Sequence, residues 1–236
     1  MQKLSIRLLV ILSVTLSLVI CAVFGFLIYR WRWDVNSAVA SGDLSRLRAV
    51  LENGGNPNRI SIEQALRTKV KWPPLMHAIY SGDADAALLL MEHGADVQVS
   101  NESGKNALLI MGVSPRHLSP VQTEQVLLAL VEAGADVRHT DVDGRTVLHH
   151  AVNSNNQALV RCLLQQKASP RAKDRWGATP IHLAVASTAD IEIVEMLLQY
   201  GADPSIKDRT GQSVADRAQS GQWQYYDTLR QLLGLQ

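Results

Sequence analysis

Residues 176–185 read WGATPIHLAV and place a Thr-Pro pair, a histidine and several apolar side chains within ten positions. Pro180 suits the first turn of a helix, because the backbone N–H that proline lacks has no intrahelical partner there. Thr179 can cap the same helix through its hydroxyl, and the small Ala184 allows a neighbouring helix to approach closely. The stretch therefore predicts a helix that begins near Pro180 and contains His182 in its first turn.

The same phrase recurs along the chain, and a second phrase recurs with it. The first reads KWPPLMHAI from residue 71, GKNALLIMG from 104, GRTVLHHAV from 144 and GQSVADRAQ from 211. The second reads NGGNP, HGADV, AGADV, QKASP and YGADP, and its anchor positions 54, 94, 134, 167 and 201 are 40, 40, 33 and 34 residues apart. A base period of about 33 residues with insertions of about seven explains these spacings.

An apolar stretch such as ALLLME or VEMLLQ precedes the second phrase, with apolar residues at i, i+3 and i+4. That spacing is typical of a helix buried on one face. The whole pattern resembles the ankyrin repeat, a unit of about 33 residues with the signature G-x-T-P-L-H-x-A-A, an apolar helix and then G-A-D. The resemblance implies a repeat domain over 34–236, with repeats at about 34–58, 71–98, 104–138, 144–171, 177–205 and 211–236.

The resemblance also implies structural roles for the residues of the repeat signature. In that family the histidine after T-P-L bonds backbone groups between repeats, which implies this role for His149 and His182. The remaining residues of the motif are Thr146, Thr179, Pro180, Gly94, Gly134 and Gly201. We expect His150, the neighbour of His149, to be a partly exposed helix residue.

The N-terminal region carries a different signal, because residues 8–28 read LLVILSVTLSLVICAVFGFLI without a charge. About 20 apolar residues span a bilayer as a helix, and the basic and aromatic residues that flank this run are typical of an interface. The sequence therefore predicts a tail over 1–7, a transmembrane signal-anchor helix over 8–28 and an interfacial segment over 29–33. A cleaved signal peptide is the alternative, although its apolar region is usually shorter.

The predicted fold class is therefore all-α: an ankyrin-repeat solenoid of helix-turn-helix repeats with short β-hairpin loops, preceded by one N-terminal transmembrane helix. The short positive tail resembles a signal anchor whose tail stays in the cytoplasm. This favours a single-pass protein of a bacterial-type inner membrane. Its membrane contact would be residues 8–28, with the repeats in the periplasm rather than the cytoplasm.

Composition and motifs argue against several classes of function. Charge is nearly balanced, with 23 Lys and Arg against 22 Asp and Glu, so nucleic acid is not an expected partner. The sequence contains no metalloprotease, phosphate-loop, nucleophile-elbow or C-x-x-C motif. Cys162 falls on the apolar face of a predicted helix and reads as a buried structural thiol. We expect no enzyme activity, no catalytic residue, no metal, no cofactor and no small-molecule substrate.

The expected partner is a protein, because the concave face of hairpin tips and first helices usually binds proteins in ankyrin arrays. Trp176 lies at a predicted tip, and Trp, Tyr and Arg are favoured hot-spot residues. The candidate partner-binding residues are Trp72, Tyr80, Asp141, Asp143, Arg145, Arg175, Trp176 and Arg209. The predicted function is membrane-tethered recruitment or scaffolding of this partner. An inhibitor or immunity-type protein that blocks an enzyme or toxin is the alternative, and a hydrolase with an unrecognised site is a further one.

Two insertions depart from the repeat pattern. RISIEQALRTKV occupies residues 59–70, and VSPRHLSPVQ occupies residues 113–122 and separates two predicted helices. Long loops in compact arrays are often functional, and drift in a surface loop is the competing explanation.

Overall fold

A computed structural model describes residues 34–60, 72–116, 118–186, 190–219 and 226–232, and it arranges them as six consecutive helix pairs. The helices of these residues are α1 Val35–Ser41, α2 Leu44–Glu52, α3 Pro74–Ser81, α4 Ala84–Glu92, α5 Ala107–Val113, α6 Pro120–Glu132, α7 Val147–Asn153, α8 Gln157–Gln165, α9 Pro180–Ala186, α10 Ile191–Gln199, α11 Val214–Gln219 and α12 Tyr226–Leu232.

The helix pairs stack in two layers. Each odd-numbered helix from α1 to α9 packs against the next odd-numbered helix, and each even-numbered helix from α2 to α8 packs against the next even-numbered one. The two helices of each pair also pack on one another. The prediction of an all-α helical repeat fold is confirmed.

The second helices start and stop with local signals that the sequence carries. Asp43, Asp83 and Asn156 cap α2, α4 and α8, and each accepts the backbone N–H three residues later through its side chain. At the C-terminal ends a residue in the left-handed conformation follows the helix, and the next N–H returns to a carbonyl of the last turn, as in Ala202 N to Leu197 O at 2.8 Å. These hydrogen bonds satisfy carbonyls that would otherwise lack a partner.

A single apolar core runs along the stack from Val35 to Val214. Its members come from the facing sides of both helix layers, and the small Ala78, Ala151 and Ala184 are completely buried on α3, α7 and α9. A core of this kind is built by neighbouring repeats, since one helix pair alone cannot cover its apolar face.

The connections between repeats differ from the predicted β-hairpins. The described residues contain no strand, and their one isolated antiparallel bridge joins Thr140 and Thr146. Within the connection that follows each of α4, α6, α8 and α10, the turn is a five-residue loop closed by a hydrogen bond from the N–H of its first residue to the carbonyl of its fifth. We call the loops at 101–105, 141–145, 174–178 and 208–212 the tip loops.

The insertion at 113–122 packs onto the preceding repeat. Ser114 Oγ donates to Tyr80 O at 3.0 Å, and Arg116 Nη1 donates to Ser81 O at 3.4 Å. Ser119 and Gln122 form a capping box that begins α6. The segment covers the C-terminal end of α3. Because of it, α6 starts earlier in its repeat than the other second helices do in theirs. The other insertion, at 59–70, lies almost wholly outside the described residues.

The membrane prediction requires a correction. Among the described residues, no helix combines the length and the apolar character that a bilayer crossing demands. This finding contradicts the predicted location, a single pass through an inner membrane with periplasmic repeats. The segments predicted at 1–7, 8–28 and 29–33 lie outside the described residues.

Candidate binding surface

The tip loops share one hydrogen-bonding scheme. In the loop at 174–178, Asp174 Oδ1 accepts the backbone N–H of Trp176 at 2.9 Å and of Ala178 at 3.0 Å. Asp174 N donates to Ala178 O at 2.9 Å, which closes the loop. Asn or Asp at the first position uses its side chain in this way to hold a turn. The residues at that first position are Asn101, Asp141, Asp174 and Asp208.

Neighbouring tip loops are joined by backbone hydrogen bonds. Val142 N donates to Ser103 O at 3.1 Å, Arg175 N to Asp143 O at 2.8 Å, and Arg209 N to Trp176 O at 2.9 Å. The four loops therefore form one continuous edge in register.

A glycine at the fourth loop position permits this close approach. Gly177 has a φ of +75°, and a Cβ built on it would lie 3.2 Å from the backbone nitrogen of Arg209. Glycine accepts this left-handed conformation without steric penalty. The loop glycines thus serve both the turn and the contact with the next loop.

Trp176 is the most prominent side chain of this edge. It is 45% exposed, and the guanidinium carbons of Arg145 and Arg175 lie 5.0 Å and 5.1 Å from its ring centroid. A guanidinium at this distance is attracted to the electron-rich face of an indole ring. The three side chains therefore hold one another in place at the surface.

Ion pairs also join the tip loop at 141–145 to the tip loop at 174–178. Arg145 Nε lies 3.4 Å from Asp174 Oδ2, and Arg175 Nη1 lies 2.9 Å from Asp143 Oδ1. The Asp174 side chain is only 1% exposed, whereas those of Arg145 and Arg175 are 29% and 57% exposed. The cations of these pairs are the more accessible partners.

Asp141 lies beneath this surface. Its Oδ2 is 2.8 Å from His150 Nε2 and 3.3 Å from Lys105 Nζ. Burial raises the pKa of Asp141, but the hydrogen bonds from the Arg145 backbone and the His150 side chain outweigh it, so the net pKa lies below its ordinary value. The Asp141 carboxylate is thus committed to internal contacts, although the sequence offered it as a partner-binding residue.

His150 differs from its sequence prediction. It is buried, with 8% exposure, rather than a partly exposed helix residue. Burial lowers the pKa of His150, although Asp141 opposes this effect. A neutral imidazole that donates its Nε2–H to an ionised Asp141 satisfies both pKa shifts.

Trp72 and Tyr80 form a separate group in the second repeat. Their rings meet edge to face with centroids 5.2 Å apart, and His77 lies 5.5 Å from the Trp72 ring. Trp72 is half-buried against the core and Tyr80 is 40% exposed. The structure therefore gathers Asp143, Arg145, Arg175, Trp176 and Arg209 at one edge, and places Trp72 and Tyr80 three repeats away from Trp176.

Sequence reasoning missed two members of the edge. Val142 is 66% exposed at the loop position that Arg175 and Arg209 occupy in the next two loops. Lys105 occupies the loop position of Arg145. Alignment of the tip loops position by position would have found both. We define the tip surface as Lys105, Val142, Asp143, Arg145, Arg175, Trp176 and Arg209.

The histidines of the repeat signature lie in the core. His149 Nδ1 accepts the Thr146 backbone N–H at 3.2 Å, and its Nε2 lies 3.2 Å from Ala178 O in the next repeat. His182 makes the same local contact with Thr179, with its Nδ1 2.8 Å from Thr179 Oγ1. Both imidazoles are fully buried. His149 thus connects backbone groups of two neighbouring repeats, and neither imidazole is accessible to solvent.

Cys162 shows no feature of a reactive thiol. It is half-buried on α8, and burial raises the pKa of its thiol, which disfavours the thiolate. Within the described ranges, no three His, Cys, Asp or Glu side chains converge to hold a metal ion.

The sequence of this architecture matches models of a known repeat family. Residues 121–208 match a model of three ankyrin repeat copies, and residues 71–102 match the model of the single ankyrin repeat. Together the two matches cover just over half of the chain. The chain belongs to the ankyrin repeat family, whose repeats are protein–protein interaction modules.

Individual proteins share the repeats at modest identity. Human Rabankyrin-5 is 33% identical over 123 residues, which cover 50% of this chain and 10% of that protein. Palmitoyltransferase AKR1 of Lachancea kluyveri is 27% identical over 175 residues, covering 61% of this chain and 23% of the relative. L-asparaginase of Dirofilaria immitis is 25% identical over 173 residues, covering 62% and 28%. This chain thus spans less than a third of the length of each of these relatives. The enzyme activities in two of the names are those of the palmitoyltransferase and the asparaginase themselves.

Proposed function

We propose that this chain is a non-enzymatic interaction module that recruits a protein partner through the tip surface. The observation that carries the proposal is Trp176, a large aromatic side chain held in the open between Arg145 and Arg175. Trp and Arg are enriched among the few residues that carry most of the binding energy of protein interfaces. The module is the repeat domain expected over 34–236.

The rigidity of the edge supports this proposal. Two guanidinium groups fix the Trp176 ring, and hydrogen bonds between neighbouring loops fix the backbone beneath it. Binding at such a surface orders few side chains, so little conformational entropy opposes association. The carboxylates of Asp141 and Asp174 hold the loops and their cations, which gives them a structural task in place of acid–base chemistry.

Site-specific photocrosslinking tests the location of the partner. A benzoylphenylalanine replaces Val142 on the tip surface or Val121 on α6, in the even-numbered layer. The two valines are each 66% exposed, so the probes are equally accessible. We expect a discrete crosslinked partner from position 142 and a much weaker one from position 121. Equal labelling from the two positions would count against the tip surface.

The captured partner is then purified and its affinity measured by calorimetry. We expect Trp176→Ala to weaken binding by at least about tenfold, as removal of a hot-spot side chain does. The melting temperature of the variant should change little, because Trp176 lies at the surface. Unchanged affinity with an unchanged melting temperature would refute the proposal.

A further inference from the structure

On the tip surface the basic side chains are more exposed than the buried carboxylates that pair with them. Lys105, Arg145 and Arg175 are partly or well exposed, and Arg209 is exposed as well. The carboxylates paired with Lys105 and Arg145 belong to Asp141 and Asp174, whose side chains are 1% exposed. A partner that approaches this edge therefore meets four cations and two accessible carboxylates, those of Glu102 and Asp143, so positive charge is in excess.

The geometry around Arg175 already shows which anion fits. Asp143 Oδ1 lies 2.9 Å from Arg175 Nη1, while the Trp176 ring supports the guanidinium carbon at 5.1 Å. The Asp143 side chain is 35% exposed, so this carboxylate sits at the rim and is not enclosed. A guanidinium pairs well with a carboxylate through parallel N–H···O contacts. A carboxylate from outside can take the place of Asp143.

The cations are spaced by the repeat itself. Arg175 and Arg209 occupy the same position in adjacent tip loops, as do Lys105 and Arg145. Packed helices lie about 8–10 Å apart, and this sets the distance from one loop to the next. A peptide in the polyproline II conformation rises about 3.1 Å per residue with three residues per turn, so residues i and i+3 lie on one face about 9 Å apart. Acidic side chains three residues apart on such a peptide match successive loops.

We propose that the tip surface binds an acidic peptide segment in the polyproline II conformation, with Asp or Glu at every third position. One partner carboxylate binds Arg175 and displaces Asp143, and the next binds Arg209. Trp176 packs against the aliphatic part of the segment. Asp143 is then an internal competitor rather than a contact residue. This inference rests on the proposed function and adds the chemistry of the partner.

The test uses the full chain and a displayed library of random 12-residue peptides as the probe. Peptides are selected on the wild-type protein and sequenced, and the best binders are synthesised for titration. We expect Asp and Glu to be enriched at least about twofold over the unselected library, with the spacing i, i+3. Raising NaCl from 50 to 500 mM should weaken binding by about tenfold, because salt screens exposed charges.

Matched variants assign the effect to named residues. Arg175→Gln with Arg209→Gln should weaken binding of the selected peptides by about tenfold. Arg48→Gln with Arg161→Gln removes the same charge from exposed sites on α2 and α8 and should change affinity less than twofold. Asp143→Asn should strengthen binding by about threefold, since it removes the competing carboxylate. The arginines tested are exposed, so these variants keep the fold.

The possible outcomes separate this inference from the proposed function. Selected peptides that depend on Trp176, but lack acidic enrichment and ignore the Arg175 and Arg209 changes, overturn the acidic partner and leave the binding surface intact. A selection that yields only peptides indifferent to Trp176, or no peptides, contradicts both. Weaker binding in Asp143→Asn would also overturn the inference, because it would make that carboxylate a contact.

Discussion

Lys167 stands where the other second-phrase anchors carry glycine. It follows α8 with a φ of 62°, and its equivalents Gly54, Gly94, Gly134 and Gly201 have φ values between 81° and 94°. A residue with a Cβ is disfavoured in this region by about 1–2 kcal/mol. The Ala168 N–H nevertheless donates to Leu163 O at 3.0 Å, so the helix end keeps the form of the others. Lys167 is therefore a point of local strain.

We expect Lys167→Gly to raise the free energy of unfolding by about 0.5–1 kcal/mol. Relief of the left-handed strain exceeds the added entropy of glycine in the unfolded chain. Gln166→Gly is the matched control, because Gln166 has a φ of −79° and should lose stability instead. Urea unfolding followed by circular dichroism measures both. A stability loss in both variants would show that residue 167 is not strained.

His149 links pH to stability. Burial lowers its pKa from 6.5 to about 4, although Ala178 O and Asp174 oppose this change. Below pH 6.5 the unfolded chain binds a proton at this residue while the folded chain does not. The stability that the neutral imidazole contributes is therefore complete above pH 6.5 and is lost as the pH falls toward 4.

The non-titrating variant His149→Gln isolates this effect. At pH 7.5 the wild type should be the more stable, since His149 connects Thr146 with Ala178. The difference in unfolding free energy should shrink by about 2 kcal/mol between pH 7.5 and pH 4.5. Urea titrations at several pH values give this difference directly. A gap that stays constant with pH would assign the acid sensitivity to other groups.

At the scale of helices, α5 and α7 show how a repeat departs from the common pattern. Met111 occupies the position of Ala78, Ala151 and Ala184, and it is buried. The neighbouring Gly112 restores space, because a Cβ built there would lie 2.9 Å from His150 Cβ and 3.1 Å from Val147 O. Ser154 Oγ also donates to Gly112 O at 3.0 Å. The close contact of the two helices depends on the missing side chain.

We expect Gly112→Ala to lower the unfolding free energy by about 1–3 kcal/mol, the usual cost of overpacking a core. The sign of the stability change distinguishes the two effects. Alanine stabilises an unconstrained helix by about 1 kcal/mol relative to glycine, so a loss of stability would come from the close contact with α7. Chemical denaturation measures the change. Stabilisation would mean that α5 can shift away from α7 without loss.

The same contact explains why His150 was predicted wrongly. His77 and Leu183 hold the equivalent position on α3 and α9, and both are half-buried, as the helical period suggests. His150 is buried because Gly112 on another helix admits it and Asp141 pairs with it. The helix period and the caps are local and can be read from the sequence. Burial at one site depends on residues from other repeats, which no local pattern contains.

The tip surface was predictable in part for the same reason. The turn residues and their period placed Trp176 at a loop tip, because Asp and Gly at fixed offsets define the turn. The sequence could not show that Arg145 and Arg175 flank this ring, since Arg145 belongs to the preceding loop. Nor could it show that Asp141 is enclosed by His150 and Lys105. Contacts between repeats decide which tip residues remain free to bind.

At the scale of the whole molecule, the stack makes stability local. Each repeat contacts only its neighbours, so its stability is close to a sum of repeat terms and interface terms. In the described part of the chain, the main helix–helix contacts join helices of the same repeat or of adjacent repeats. A defect in one repeat should weaken that repeat and the adjacent ones, and leave distant ones protected.

Two leucines in register test this. Leu90 on α4 and Leu197 on α10 are both completely buried, each four residues before its left-handed glycine. We expect either leucine-to-alanine change to cost about 2–5 kcal/mol locally. Hydrogen exchange read by mass spectrometry should show that Leu197→Ala deprotects α7 to α12 while α3 and α4 stay protected. Leu90→Ala should give the opposite pattern, with α1 to α6 deprotected while α9 and α10 stay protected. Equal loss along the chain in both variants would mean that the repeats unfold as one cooperative unit.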